Sequence, residues 1–405
     1  MSFERPVPVE SPWPAVRLGS VLTRTVDTGQ QGLPLLSVSA TRGVTLRGGD
    51  WGDGLRAASN DLSGYLVARP GDVVVNKLVA RDGAFGRSPH LGLVSPAYYV
   101  LRPATGTDTR FVDYLLHASP YLAEIGRRSK SMPPAQFDIS WEMMRSMKVH
   151  MPGHDVQERI ADYLDRETQR IDELLQKHRR LIALLAEHYE SRVSAATQHD
   201  GREVQVRRLT ALITSGSRGW SALVGDSGAP FVRSANLQRG TVSLRTTNLA
   251  RVEAPVGAEG TRTKISKGDL FVGITGANTG WVGAANEHVA GGYVSQHVAL
   301  LRPSNLVDQQ WLAFALLSAQ VQDQLLESQY GGTKQLLSLE DIASLRVSLP
   351  DLETQQGVAA ELHRESRSLQ TMSGRLERQN ELLMERRQAL ITAAVTGQLD
   401  IGEAA

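Results

Sequence analysis

Side chains able to read a hydrogen-bonding ligand gather on a few loops of this 405-residue chain. Arg233, Asn236, Gln238 and Arg239 follow one short apolar run, and Gln296 and His297 interrupt another. Tyr330, Gly331, Gly332, Thr333 and Lys334 form a third polar stretch. Earlier in the chain, Lys77 and Arg81 follow an apolar strand, and Arg127, Arg128, Ser129 and Lys130 make a basic loop. Asn and Gln present a donor beside an acceptor, which suits adenine, whereas Arg and Lys suit guanine or a phosphate. Glycines at 331 and 332 let the backbone approach a ligand closely. Any one of these residues taken alone reads first as an ordinary solvated side chain. Their weight comes from falling on corresponding loops of a repeated segment.

The sequence carries no motif for bond-making chemistry. There is no Gly-x-x-x-x-Gly-Lys-Ser/Thr loop; Gly273, Gly276 and Gly280 lack the lysine and the following helix, and read as a strand and turn. The ten histidines show no metal-ligand spacing. Cys is absent, so there is neither a disulfide nor a thiol nucleophile. Ser95-Pro96-Ala97-Tyr98 is distantly similar to the Asp/Asn/Ser-Pro-Pro-aromatic loop of amino-methyltransferases, but the second proline is missing and no glycine-rich cofactor motif precedes it. The expectation is a chain with no catalysis, no metal and no cofactor of its own. No apolar run reaches the ~18 residues of a membrane span, and the N-terminus has no signal-peptide pattern, which predicts a cytoplasmic protein.

Two long helices must position these loops. From Pro152 to about Thr197 no residue after Gly153 is proline or glycine, and a seam recurs at steps of four and three: Ile160, Leu164, Glu167, Ile171, Leu174, His178, Leu181, Leu185, His188, Arg192, Ala195. A shift of 198 residues gives a second seam: Val358, Leu362, Glu365, Leu369, Met372, Leu376, Gln379, Leu383, Arg386, Leu390, Ala393. Each reads as a heptad helix of roughly 65 Å that cannot bury its stripe alone. The simplest partner for each is the other, antiparallel, because the segment between is long enough for the chain to return. On that reading Leu174→Asp costs on the order of 3 kcal/mol or more by placing a carboxylate in the seam.

The repeat extends beyond the rods. Gly71-Asp72-Val73-Val74-Val75 matches Gly268-Asp269-Leu270-Phe271-Val272, each followed by a glycine-punctuated hairpin (82–86 and 276–280) and a strand ending in Arg102-Pro103 or Arg302-Pro303. A helix follows, at 110–126 and 309–327, then a polar loop. The order is therefore arm (1–15), first module (16–150), first rod (151–200), second module (201–348), second rod (349–400) and tail (401–405). This is an α+β chain with one domain duplicated, most divergent over 24–65 and 214–262. The modules carry net charges of +4 (1–150) and +3 (201–348), and each rod segment carries −3. That pattern fits two anion-facing modules on acidic struts. Held about 34 Å apart, two such modules would meet one face of a duplex one turn apart.

The order module–rod–module–rod, the Gly-Asp hairpins, the pre-rod Leu349-Pro350 with Gln355, and the ending Ala389-Leu390-Ile391-Thr392-Ala393-Ala394-Val395-Thr396-Gly397-Gln398 together resemble the specificity subunit of type I restriction-modification enzymes over about residues 16–400. The first rod departs, with Thr197-Gln198-His199-Asp200 where the second has Thr396-Gly397-Gln398. The resemblance implies two target-recognition domains that each read half of a split site in double-stranded DNA. It implies helices that dock two methyltransferase subunits, and a restriction subunit in systems that keep one. S-adenosylmethionine and ATP with Mg would belong to those partners. The competing reading is a coiled-coil scaffold whose end modules bind proteins or anionic ligands without sequence preference.

Overall fold

A computed structural model of the chain describes residues 10–28, 32–48, 61–132, 136–199, 202–255, 257–329 and 336–401. It separates into two compact units, one of residues 1–176 with 379–405 and the other of residues 177–378. Each unit therefore holds one module together with a segment from each long helix.

In the first unit a four-stranded antiparallel sheet runs in the order Leu22–Thr25, Tyr98–Pro103, Val73–Asn76, Phe85–Arg87. Side chains alternate across a pleated strand. Val73, Val75, Tyr99 and Leu101 accordingly face the helices, while Val74 and Val100 face a layer of two antiparallel strand pairs. Those pairs are the hairpin Leu36–Ser39 with Gly43–Leu46, and Leu66–Ala68 with Gly92–Val94. The second unit repeats the main sheet in the order Thr210–Ser215, Val298–Pro303, Leu270–Gly273, Val282–Ala284. Leu270, Val272, Ala299 and Leu301 face its helices, and Phe271, Val298 and Leu300 face the other way. Its further layer is one four-stranded sheet instead of two strand pairs: Val224–Gly225, Ala250–Val252, Ala229–Val232, Tyr293–Val294. The layers that differ are built largely from the stretches that diverge in sequence.

The two rods are helices His154–Thr197 and Leu352–Thr396. Within the first unit Ile160, Ala161 and Leu164 share a core with Ile391, Ala394 and Val395. Within the second, Tyr189 and Val193 share a core with Ala359 and Leu362. Low numbers on one rod meet high numbers on the other in both units, so the pairing is antiparallel and within one chain. The polar seam residues also meet: Arg192 Nη2 lies 2.8 Å from Glu361 and 3.1 Å from Glu365. Burial pushes the Tyr189 phenol, which donates to the Leu362 carbonyl, up to about 12.

The phase of the seam differs from a strict heptad. Ile160, Leu164, Ile171 and Leu362 are buried, and Leu185, Val358, Leu369, Leu376, Leu383 and Leu390 are half-buried, but Leu174, Leu181 and Met372 are 43%, 42% and 45% exposed. Leu175, Ile182, Tyr189 and Val193 turn inward instead. The buried steps 157, 160, 164, 168, 171, 175 contain a four followed by a four. A helix has 3.6 residues per turn, so a seam of strict 3.5 drifts off the face it must cover unless the pair supercoils throughout. An acidic residue at Leu174 would therefore sit in water, and Leu175 is the seam residue.

The segments read as single helices, 110–126 and 309–327, are each two: Thr109–His117 with Ser119–Arg128, and Gln309–Leu317 with Ala319–Gln329. Ala118 and Ser318 break them in extended conformation (φ −65°, ψ 140° and φ −62°, ψ 148°). Each break bends the chain onto a rod, where a hydroxyl caps the new helix. The Ser119 N–H donates to Thr392 Oγ1 and the Ala319 N–H to Ser194 Oγ. Thr392 and Ser194 are one repeat apart. In the N-terminal arm Trp13 packs edge-on to Phe111, with ring centres 6.1 Å apart.

Candidate nucleic-acid interface

The recurring motifs form one support in each unit. Gly71 and Gly268 take φ +91° and +87°, open to glycine without strain, to turn the chain into the central strand. The next residue, Asp72 or Asp269, is buried and accepts from a turn amide, Arg69 N at 3.0 Å or Ser266 N at 2.7 Å. It also pairs with the arginine of the Arg-Pro strand end: Arg102 Nε at 3.3 Å, Arg302 Nε at 2.8 Å. Gly-Asp and Arg-Pro are two halves of one charged clasp. The glutamine near the start of each rod works alike in both units. Gln157 accepts from Asp108 N–H and donates to the Pro152 carbonyl, and Gln355 does the same with Asp308 and Pro350. Sheet, helix and rod are thus locked together before any loop is reached.

In the first unit the loops converge where the central strand ends. The Ile139 N–H donates to the Lys77 carbonyl and the Phe137 N–H to that of Leu78, which lays the hairpin Lys130–Met132 with Gln136–Asp138 beside Lys77. Lys77 Nζ is 3.7 Å from Asp138, and the Arg81 guanidinium lies 3.8 Å from the Phe137 ring centre. Lys130 is exposed on this hairpin. Arg127 and Arg128 are engaged at the end of helix Ser119–Arg128. Both bind Glu124, Arg127 at 2.7 Å by two bonds, and Arg128 also donates to the Met143 carbonyl and Ser146. Those bonds hold the helix end, and they hold the Glu124 carboxyl below its usual range.

In the second unit the corresponding place holds Thr275, Gln296 and His297. The Leu337 N–H donates to the Ile274 carbonyl and Thr275 bridges Leu336, so the chain that follows 330–335 returns here. Tyr330 and Lys334 lie outside the described residues. His297 Nδ1 is 2.6 Å from Thr275 Oγ1, and His297 Nε2 is 3.1 Å from Gln296 Nε2. Asn236 is buried and its amide is consumed. Oδ1 accepts from Arg233 N–H at 2.9 Å and Nδ2 donates to the Arg245 carbonyl at 2.9 Å, shaping the turn after strand Ala229–Val232. Gln238 gives its Nε2 to the Ser243 carbonyl. Arg233 itself is exposed.

The structure therefore brings Lys77, Arg81 and Lys130 together in one unit, and Gln296 and His297 together in the other. It assigns Arg127, Arg128 and Asn236 to internal bonds. Sequence reasoning missed Phe137, which seats Arg81, and Thr275, which seats His297. The repeat carried a signal for Thr275, since the matching residue is Leu78, next to Lys77.

Residues 228–378 match the family model of the type I restriction modification DNA specificity domain. Among curated proteins no sequence matches the chain. Among solved structures, a chain from work on complex assembly and conformational transition of the type I R-M system shares 17% identity, covering 97% of this chain and 100% of that one with TM-score 0.73. The HsdS subunit from Thermoanaerobacter tengcongensis, also 17% identical, covers 98% of this chain and 100% of its own with TM-score 0.51. At such identity these likenesses carry the fold, over nearly the whole of both chains.

Proposed function

We propose that this chain, whose residues 228–378 match the type I restriction modification DNA specificity domain, reads an asymmetric split site in duplex DNA, one half-site per unit. The observation that carries the reading is one clasped scaffold present twice, with the same sheet order and the same rod anchors but different loops where the central strand ends. Two scaffolds with unlike loops read two unlike half-sites. The weak net charge of each module makes phosphate attraction modest, so firm binding draws on partner subunits.

The chain supplies specificity and leaves the chemistry to its partners. Two methyltransferase subunits dock on the rods, bringing S-adenosylmethionine; restriction subunits bring ATP and Mg where the system keeps them. Exposed apolar residues support the docking. Leu174 and Leu382 in the first unit, 43% and 48% exposed, are matched one repeat away by Met372 and Leu184 in the second, at 45% and 50%. A pair of exposed apolar residues that occurs twice suits two copies of one partner. Leu174→Asp with Leu382→Asp should leave the melting temperature within a few degrees of wild type, as surface changes do, and lose one of two co-purifying partner subunits. Retention of both would end the docking assignment.

The test of the function is methylome sequencing of host cells with and without the gene. One asymmetric bipartite motif should disappear with the gene. Exchanging 201–348 for a relative's residues should replace one half of that motif; no lost motif, or a change in both halves, overturns the reading. Labelled methyl transfer to DNA by the purified chain alone would overturn the non-catalytic role.

A further inference from the structure

We infer that Gln296 reads one adenine of the half-site that belongs to the second unit, and that His297 and Thr275 are positioning residues that fix its amide for adenine. The inference rests on the DNA-reading function proposed above and names a specificity-determining group within it.

The atom of Gln296 that meets the ring is its amide nitrogen, 3.1 Å from His297 Nε2. An amide nitrogen brings only hydrogens to a contact, so the ring nitrogen it meets must accept. A neutral imidazole with Nε2 accepting carries its proton on Nδ1. That proton has a partner in place, Thr275 Oγ1 at 2.6 Å, which accepts it and keeps its own hydroxyl hydrogen to give away. The chain of bonds starts on backbone held in the sheet: the Ile274 N–H donates to the His297 carbonyl and the Val298 N–H to that of Ser295. One end of the relay is therefore rigid, and the other ends in a half-buried amide beside the exposed His297.

One N–H of Gln296 is fixed in this way, and among the described residues its carbonyl oxygen and second N–H have no other hydrogen-bond partner, so they remain for a ligand. That pair complements the N6 amino group and N7 of adenine in the major groove. Guanine presents two acceptors there, O6 and N7, so the amide carbonyl would meet an acceptor. Were the amide free to turn, it would tolerate both; the imidazole removes the choice. In the first unit the same loop carries Pro96 and Ala97, which offer no such edge, so the device belongs to one half-site only.

The experiment uses the full chain with its partner subunits and duplexes carrying the methylome-defined site. Each adenine of the second unit's half-site is replaced in turn by 7-deazaadenine, which removes N7 and keeps the pairing. Wild type should lose affinity at one position, by roughly 5- to 150-fold for a good bidentate contact. Gln296→Ala should be insensitive to the same replacement, and Gln296→Glu, which can only accept, should shift preference there toward cytosine. His297→Ala should bring adenine and guanine at that position to within about threefold, while His297→Gln, which keeps an acceptor in reach, should restore discrimination. A role for His297 in folding alone would change affinity at every position and leave the ratio intact. If wild type shows no adenine of that half-site sensitive to loss of N7, the inference is overturned whatever the variants do. If the sensitive adenine stays sensitive in Gln296→Ala, another residue reads it. Absence of any bipartite motif would instead remove the DNA-reading function itself.

Discussion

The two units anchor their modules to the rods with opposite chemistry. In the first, Arg110 reaches Asp108 at 2.7 Å, Asp162 at 2.6 Å and Asp165 at 3.1 Å, and the Tyr114 hydroxyl donates to Asp165 at 2.7 Å. Burial alone would raise the Asp108 carboxyl, but Arg110 outweighs it and holds the acid below its usual range. In the second, the matching positions are Gln310 and Phe314, and Phe314 packs edge-on against His363 with ring centres 5.0 Å apart. One duplicated joint is held by charges and hydroxyls and the other by apolar contact. The shared frame of clasp, glutamine and hydroxyl cap fixes where the joint is, and leaves open which force closes it.

A second contrast lies at the turn after the central strand. The Gly83 carbonyl faces His117 Nε2 at 3.3 Å, while the matching Gly280 carbonyl accepts from Gln322 Nε2 at 3.0 Å. His117 Nδ1 meets the Asp113 carbonyl at 2.9 Å and its carboxylate at 3.2 Å. Both ring nitrogens face acceptors, an arrangement suited to the doubly protonated ring. Burial pulls this histidine down, but Asp113 and the two carbonyls prevail and hold it above its ordinary value. The first unit thus places a titratable group where the second has a permanent amide.

The largest effect that would break the comparison is at the apolar joint. Phe314→Ala should cost about 3–5 kcal/mol, seen as faster amide exchange confined to the second unit of the full chain. Tyr114→Phe, which removes only a hydroxyl, should cost about 1–2 kcal/mol in the first. Equal losses would mean that the joints differ in sequence but not in force.

Next comes the ionic joint. Arg110→Ala leaves three carboxylates without their cation; allowing for its partial exposure, the expected loss is about 2 kcal/mol in the first unit. Gln310→Ala should stay within about 0.5 kcal/mol. Raising salt should shrink the Arg110 effect and leave Phe314→Ala unchanged. A salt-independent Arg110 effect would refute the charge-based account.

The smallest effect sharpens the comparison through pH. A histidine whose folded pKa is raised contributes stability fully present below its unfolded value, near 6.5, and lost as pH rises through the folded value. His117→Gln should therefore cost about 1 kcal/mol in the first unit at pH 5.5 and progressively less above neutrality. His363 has the opposite sign: burial, helped by Arg367, lowers it, so the second unit loses stability as pH falls below about 6.5. His150, also lowered by burial, opposes His117 within the first unit, which is why the variant difference is the quantity to follow. A difference between wild type and His117→Gln that does not change with pH would show His117 to be neutral.

The repeat is where sequence was most informative. Matching Gly-Asp turns, Arg-Pro strand ends, pre-rod prolines and rod seams were visible because each is a short local pattern written twice. From them followed the alternation of module and rod and the antiparallel intrachain pairing, whereas the order of strands in each sheet came from the tertiary structure. Local patterns do not carry the phase of a long contact. Doublets such as Leu174-Leu175, Leu181-Ile182 and Leu184-Leu185 offer either member to a seam, and the drift of a 3.6-residue helix against the module it covers decided for Leu175 and Ile182. The same limit applies to polar side chains. Asn236 and Gln296 look alike as amides on loops, yet Asn236 spends both ends of its amide on neighbouring backbone while Gln296 bonds through its nitrogen to the next side chain, His297. Residue type set what each amide could bond; only the packing that brings Arg245 to one, and His297 with Thr275 to the other, decided what remains to meet a ligand.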